Sequence, residues 1–526
     1  MDNQDVPARR DATSDATRLL CAGTYLDPVY RKSVIRELLA NQFRVVAPAY
    51  GYDAVSVLAH ALAAHNLRRR QLYALAGGTV LIVLLGAVGL LSALPALLAF
   101  VWLVWATAYL RRIATLHALV HRLRPGRDGQ GFDGGYPTTS RLTPQLVQKI
   151  AHEQASGDGL VLFGGYTPFV GAGARVRRWS NSELLVGAPL NPFDKSILRP
   201  VPGRTVPVPR DEIVAESDAG ERKAVVPFTV DEITGYVCEQ MRTQLHDAAP
   251  QGEQIRGLTV ERRKYRTAIR KLDGALGGAP SNTPVLQGEE RSDAARDFLC
   301  VRIGSWNQEL VTSIFVGFDL KGNTLHTEFY TYVLTPIIES FHLVDRLPVA
   351  LDGRLMRRVA WDVAKSLPGD AVRLVTNPLR ERLPRALRRT SGKQPAATVT
   401  IRVPVLSVVD TSEFRLGRYA THAADFGALT SVRQMAMSED FHYFFQETDA
   451  VKYMQIVERR LLQIVGTFLS EHNVDLHDHN ANQTNILQQN IGDKANFGTG
   501  NVSYDTHGPQ TLGNNSPIDN PEAQSR

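Results

Sequence analysis

Glycines followed by arginines make the first chemically suggestive segment of this chain. DGLVLFGGYTPFVGAGARVRR, residues 158–178, places Gly164 and Gly165 after a short apolar run, a second pair at Gly171 and Gly173, and then Arg175, Arg177 and Arg178. Glycines let backbone amides approach a phosphate closely, and arginines supply forked donors for an anion. The segment lacks the Gly-Lys-Ser/Thr of a phosphate-binding loop, and Pro168 interrupts the turn. Two readings follow: a site for an anionic ligand or lipid headgroup built from Gly164, Gly165, Tyr166, Gly171, Gly173, Arg175, Arg177 and Arg178, or a surface turn with solvated arginines.

Metal-capable side chains are densest in EHNVDLHDH, where His472, His477 and His479 stand with Asp475 and Asp478. A metal site needs a folded scaffold behind its ligands. Here the residues leave a helix and enter a polar tail, so they read as exposed and without a metal. His326, Glu328 and His342, near the meander, form a looser set that either converges in space or, as lone polar residues on strands commonly do, faces solvent. Asp425-Phe426-Gly427 matches a kinase magnesium tripeptide in letters alone, because its companion motifs are missing. No G-x-S-x-G elbow, H-E-x-x-H helix or Walker motif occurs, and the sequence assigns no catalytic residue and no cofactor.

The elements that would position these residues include a membrane anchor. Among 526 residues, 21% are charged, yet Gln71–Leu110 contains no Asp, Glu, Lys, Arg or His. A crossing takes about 20 apolar residues, so this run is long enough for two, divided near Pro95 into 72–91 and 95–110. Arg68, Arg69 and Arg70 precede it and Arg111 and Arg112 follow it, which orients both ends toward the cytoplasm. The expectation is a multi-pass plasma-membrane protein with both termini cytoplasmic. The net charge of +6 then reports orientation, and nucleic acid is not expected as a partner. The span holds no ionisable group, so it reads as an anchor rather than a transport path.

The remaining chain divides into a polar tail (1–17), a small helical element (18–70), the hairpin (71–112), a basic helix and Gly-rich linker (113–140), an α+β domain (141–472) and a polar Asn/Gly-rich tail (473–526) expected to be mostly disordered. Within the domain, Thr229 and Glu232 form a capping-box pattern. Residues 297–334 alternate as an antiparallel meander, Pro336 opens a helix, 398–410 suggests an edge strand, and Val451, Met454, Val457, Leu461, Val465 and Phe468 form a helical core stripe. The predicted fold is thus an α+β cytosolic domain, an antiparallel sheet packed by helices, attached to the hairpin. Cys21, Cys238 and Cys300 are too scattered for a disulfide framework or thiolate metal site.

TRLLCAGTYLDPVYRKSVIREL, LVLFGGYTPFVGAG, RDFLCVRIGSWNQELVTSIFV and FLSEHNVDL together resemble an uncharacterised family of actinobacterial two-helix membrane proteins, with GYTPFVG the most specific element. The resemblance implies the anchored architecture and carries no activity. QTNILQQNIGDKANFGTGNV is similar to bacterial amyloid-signalling motifs, whose stacked amide ladders join identical chains. The sequence therefore favours a membrane-anchored binding or scaffold protein, with homo-oligomer contacts through the hairpin or tail. An enzyme acting on a phosphorylated or lipid substrate near Gly164–Arg178 is the alternative, and a transporter component fits least.

Overall fold

The computed structural model describes residues 11–41, 43–125, 132–157, 159–190, 222–272, 280–284, 295–348, 351–366 and 423–492. The N-terminal part contains α1 (Asp15–Leu26), α2 (Pro28–Ile35) and α3 (Ala54–Ala87). Asp53 caps α3, its carboxylate accepting from the Val55 and Ser56 amides and satisfying two of the four open donors of the first turn. The helix then runs 34 residues, through Arg68–Arg70 and into the uncharged run. It ends at a turn around Gly89, whose φ of +80° suits a residue without Cβ. α4 (Ala93–Arg122) returns with Pro95 in its first turn, so the basic segment after Leu110 continues the same helix.

Both helices are long and apolar enough to cross a membrane. They form an antiparallel pair, with Leu103 covering Gly78, and Arg111 closes its foot by donating to Gln71 Oε1 at 2.8 Å. The outer surface is exposed and apolar, including Leu81, Val83, Leu84, Leu97, Leu98 and Trp102.

Past α5 (Pro144–Ala155), a six-stranded sheet is ordered β1-β3-β6-β7-β8-β2. Its strands are β1 (Leu160–Phe163), β2 (Ala174–Leu184), β3 (Leu258–Thr267), β6 (Arg296–Ser305), β7 (Leu310–Lys321) and β8 (Thr324–Leu334). β4 (Ile269–Leu272), β5 (Pro280–Pro284) and β9 (Ala423–Asp425) form a second, smaller sheet. The meander is present as β6–β8. The large sheet is nevertheless mixed, since β1 lies parallel to β3 with Leu160 opposite Lys264. Its uninterrupted LVLF run has the pattern of a parallel strand, and the long chain between β1 and β3 provides the crossover that parallel pairing requires.

One face of the sheet is covered by α6 (Val230–Arg242) and, beyond residues 353–366 (α7), by α8 (Phe444–Glu471). Val237 and Met241 of α6 and Val457, Leu461, Val465 and Phe468 of α8 meet Val260, Val301, Ile314 and Phe329 of the sheet. The capping box at Thr229 and Glu232 starts α6, and the helical core stripe is buried except for Val451. The opposite face receives Phe169, stacked on Phe315 at 4.1 Å and edge-on to Phe298 and Tyr332. Tyr50 joins the same cluster. The core around α1–α3 incorporates Phe341, Val344, Val432 and Ala436 from the later chain, so the N-terminal helices and the sheet domain pack as one body.

Two expectations change. Pro336 does not open an α-helix: Ile337 bridges to Met437, and Glu339–Arg346 forms a 3-10 helix across α1. The polar tail is not uniformly without structure, because His477–Gly492 forms α9, packed on β2 and α8. Ile486 supplies a buried apolar contact and His479 a buried polar one, which the Asn- and Gln-rich composition concealed. The proposed edge strand at 398–410 and the tail beyond Gly492 lie outside the described residues.

Candidate functional site

A cavity of about 440 Å³ opens where the N-terminal helices meet the sheet. One wall consists of Tyr52, Asp53 and Gln154; the floor comes from β3 and β6, with Glu261, Arg263 and Arg302; Ser156, Gly157 and Gly159 form the rim. Strand alternation places Glu261 and Arg263 on one face of β3, while Arg302 stands opposite Thr259 on the neighbouring strand. The rim turns because Ser156 adopts φ +49° and Gly159 φ +66° at the end of α5.

Arg263 is buried and donates to Glu261 Oε2 from Nε at 3.2 Å and from Nη2 at 2.8 Å. Its guanidinium lies 5.6 Å from the centre of the Tyr50 ring, and that of Arg302 5.7 Å from it. Burial pushes the Tyr50 phenol up to about 12, so it is neutral between the two cations. Arg302 makes only long bonds, to the Ala49 carbonyl at 3.3 Å and Thr259 Oγ1 at 3.4 Å. These sit at the outer edge of hydrogen-bond geometry, so a better-placed acceptor in the cavity could replace them at small cost.

Across the cavity, Gln154 donates to Asp53 Oδ1 at 3.0 Å and accepts from the Ala54 amide at 2.9 Å. The cap of α3 is thereby tied to α5. The site combines the arginines Arg262, Arg263 and Arg302 with the carboxylates of Asp11, Asp53 and Glu261; Arg263 is matched by Glu261, which leaves Arg302, among the described residues, as the cation without a carboxylate bond there. Sequence reading missed the site because VERRKYR looks like a solvated basic strand and no spacing links Asp53, Gln154, Glu261 and Arg302.

The eight residues of the glycine–arginine segment fall into three surroundings. The Gly165 amide donates to Asp425 Oδ2 at 2.7 Å, Gly164 is wedged against Gly427 and Leu429, and Tyr166 is 94% exposed. Gly171 (φ +90°) and Gly173 (φ +100°) allow backbone contact, since a Cβ would come within 2.8 Å of the Pro48 carbonyl and 2.2 Å of the Val333 carbonyl. Arg175, Arg177 and Arg178 belong to β2, not to a turn, and a bulge separates Arg175 from Arg177. Arg175 and Arg178 are exposed; Arg177 pairs at 3.1 Å with Glu458, whose buried carboxylate also accepts from Trp179 Nε1 at 2.7 Å. Asp425, whose carboxylate also accepts from the Gly427 amide, has a structural role here.

The histidines disperse as well. His472 packs on Phe468, His477 is exposed, and His479 is 4% exposed and paired with Glu183. No group of three or more metal-capable side chains occurs among the described residues. Ser182 Oγ and His326 Nδ1 lie 2.8 Å apart, and His326 Nε2 is 3.6 Å from Glu328, in the order of a nucleophile–base–acid set. Ser182 is exposed on edge strand β2, and the carboxylate separation exceeds a hydrogen bond, so this is a solvated cross-strand pair. His342 is elsewhere, between Glu309 and Asp345.

No curated protein and no solved structure matches this chain. A family model, the AbeC-like domain, matches residues 179–503, taking in Glu261, Arg263 and Arg302 but not the hairpin, Asp53 or Gln154. With more than half of its length matched, the chain belongs to the AbeC-like domain family.

Proposed function

We propose that this chain is a membrane-anchored binding protein: the hairpin enters the plasma membrane from the cytosolic side, and the α+β domain takes a small acidic ligand in the cavity at Arg302. The carrying observation is that α3 serves both places. Its N-cap, Asp53, lines the cavity, and the same unbroken helix enters the apolar hairpin at Gln71. At 1.5 Å per residue the cavity lies about 27 Å from the hairpin's foot along one rigid rod. Exposed apolar surface on the hairpin calls for hydrocarbon around it, and the arginines at its foot favour the cytosolic side. Gly77, where an added Cβ would meet no atom of the described residues within 4 Å, leaves room for a second copy beside the hairpin.

The test is thermal unfolding of the full chain in detergent with inorganic phosphate, a dicarboxylate series and nucleoside monophosphates. A probe that binds the folded state raises the midpoint in proportion to RT ln(1 + [L]/Kd). The reading expects such a rise with at least one probe and its loss in Arg302→Gln, with the unliganded midpoint kept. Equal shifts in both proteins, or none with any probe, would refute the cavity as the site.

A further inference from the structure

The helix at 353–366 has two faces and a specific location. Leu355, Met356, Val359, Ala360 and Val363 are buried or half-buried. The Trp105 indole donates to the Ala360 carbonyl at 3.1 Å, so this inner face is held against the second hairpin helix. Trp105 is six residues inside Arg111, about 9 Å along the helix. With the hairpin in a bilayer, that depth matches the position of an interfacial helix, about 5–10 Å into the boundary between headgroups and acyl chains.

The outer face carries Arg354, Arg357, Arg358, Trp361 and Lys365, all exposed. At 100° per residue these five fall within a sector of about 100°. Trp361 is 64% exposed, and the Lys365 ammonium sits 5.5 Å from its ring centre. Asp362 is the single acid within 353–366, leaving a positive excess on the outer face around Trp361.

We propose that α7 is a reader of anionic phospholipid: Arg354, Arg357, Arg358 and Lys365 take the phosphates of acidic headgroups in the cytosolic leaflet, and Trp361 seats between them at the acyl boundary. The inference rests on the anchored reading of the hairpin. Charge complementarity selects acidic lipid as the occupant, since juxtamembrane cations are drawn to an anionic leaflet and tryptophan favours the interface. The hydrogen bond from Trp105 makes the reader continuous with the anchor, so the lipid composition beside the hairpin bears directly on α4.

The experiment reconstitutes the full chain into vesicles of phosphatidylcholine alone or of phosphatidylcholine with phosphatidylglycerol. It reads Trp361 as the difference between the wild type and Trp361→Phe. In acidic vesicles, iodide quenching of Trp361 is expected to fall severalfold, its emission to shift to the blue, and shallow brominated lipids to quench it. The change should vanish in the triple variant R354E/R357E/R358E and persist in R354K/R357K/R358K. Equal iodide access in both vesicle types overturns the proposal, as does equal shielding in detergent, which would mean that protein covers the face. Carbonate extraction of the same vesicles separates the two readings: release of the chain sinks the anchor, whereas retention with unchanged Trp361 sinks only the lipid reader.

Discussion

His479 donates from Nδ1 to the Glu183 carboxylate at 3.0 Å and from Nε2 to the Leu462 carbonyl at 3.0 Å. A carboxylate and a carbonyl are both acceptors, an arrangement that favours the doubly protonated ring. Burial opposes that charge, but the hydrogen bond and attraction of Glu183 outweigh it, and the net shift is upward from the ordinary histidine value. A raised folded-state pKa contributes stability in full below the unfolded value near 6.5 and loses it as pH rises through the folded value. Docking of α9 on β2 is therefore expected to be firm in mild acid and to loosen as pH climbs past that point. Hydrogen exchange of 477–492, corrected for intrinsic rates, should show this fall in protection, and His479→Gln should remove the pH dependence. A protection profile that rises with pH would contradict the assignment.

Gly466 makes the seat for that ring, since a Cβ there would lie 3.0 Å from His479 Nε2. Gly466→Ala should gain helix propensity in α8 but displace the imidazole, for a net destabilisation of about 1–2 kcal/mol. Denaturant midpoints of Gly466→Ala and of Gly466→Ala with His479→Ala check it. The penalty should shrink in the double variant because the clash has gone.

Arg433 is fully buried, and its guanidinium donates to the carbonyls of Gln308 and Glu309. Burial pulls its pKa down to about 10, which leaves it protonated at neutral pH. It clamps a hairpin tip in which Trp306, Asn307 and Gln308 all have positive φ, a conformation costing about 1–2 kcal/mol per non-glycine residue. Arg433→Met should destabilise by about 3–5 kcal/mol through loss of the hydrogen bonds its buried guanidinium makes to the Gln308 and Glu309 carbonyls. Asn307→Gly should stabilise by about 0.5–1 kcal/mol, because glycine adopts φ +50° freely. Chemical denaturation of both variants measures the two signs.

Thr229→Ala removes the capping box of α6, where the Glu232 carboxylate accepts from the Thr229 amide at 2.7 Å. The expected loss is about 1 kcal/mol, read from urea unfolding. Glu232→Gln should retain much of it, since glutamine also closes the box.

Local rules made much of this fold legible. The uncharged run, the box at Thr229 and the α8 stripe each depend on neighbours within a few residues, and each lies where its pattern pointed. Long-range relationships were hidden. β1 reads as a strand, but nothing in LVLF states that its partner is β3 in parallel. Gly171 and Gly173 suggested phosphate, yet the space beside them is filled by Pro48 and Val333 from distant parts of the chain. His479 looked exposed because its surroundings are polar, whereas its partner stands 296 positions earlier. The cavity combines α3, α5, β3 and β6, so no single window of sequence contains it.

The central claim is that one rigid helix joins a membrane anchor to a cytosolic binding cavity, and sidedness tests it most directly. Two single-cysteine versions of the full chain in intact cells, Ser92→Cys in the hairpin turn and Ser180→Cys on exposed strand β2, would be treated with a membrane-impermeant maleimide. The native cysteines Cys21, Cys238 and Cys300 would first be replaced by serine or alanine. The account predicts labelling of position 92 from outside and of position 180 only after the cells are opened. Labelling of position 180 in intact cells, or protection of position 92 with release of the chain by carbonate, would contradict it.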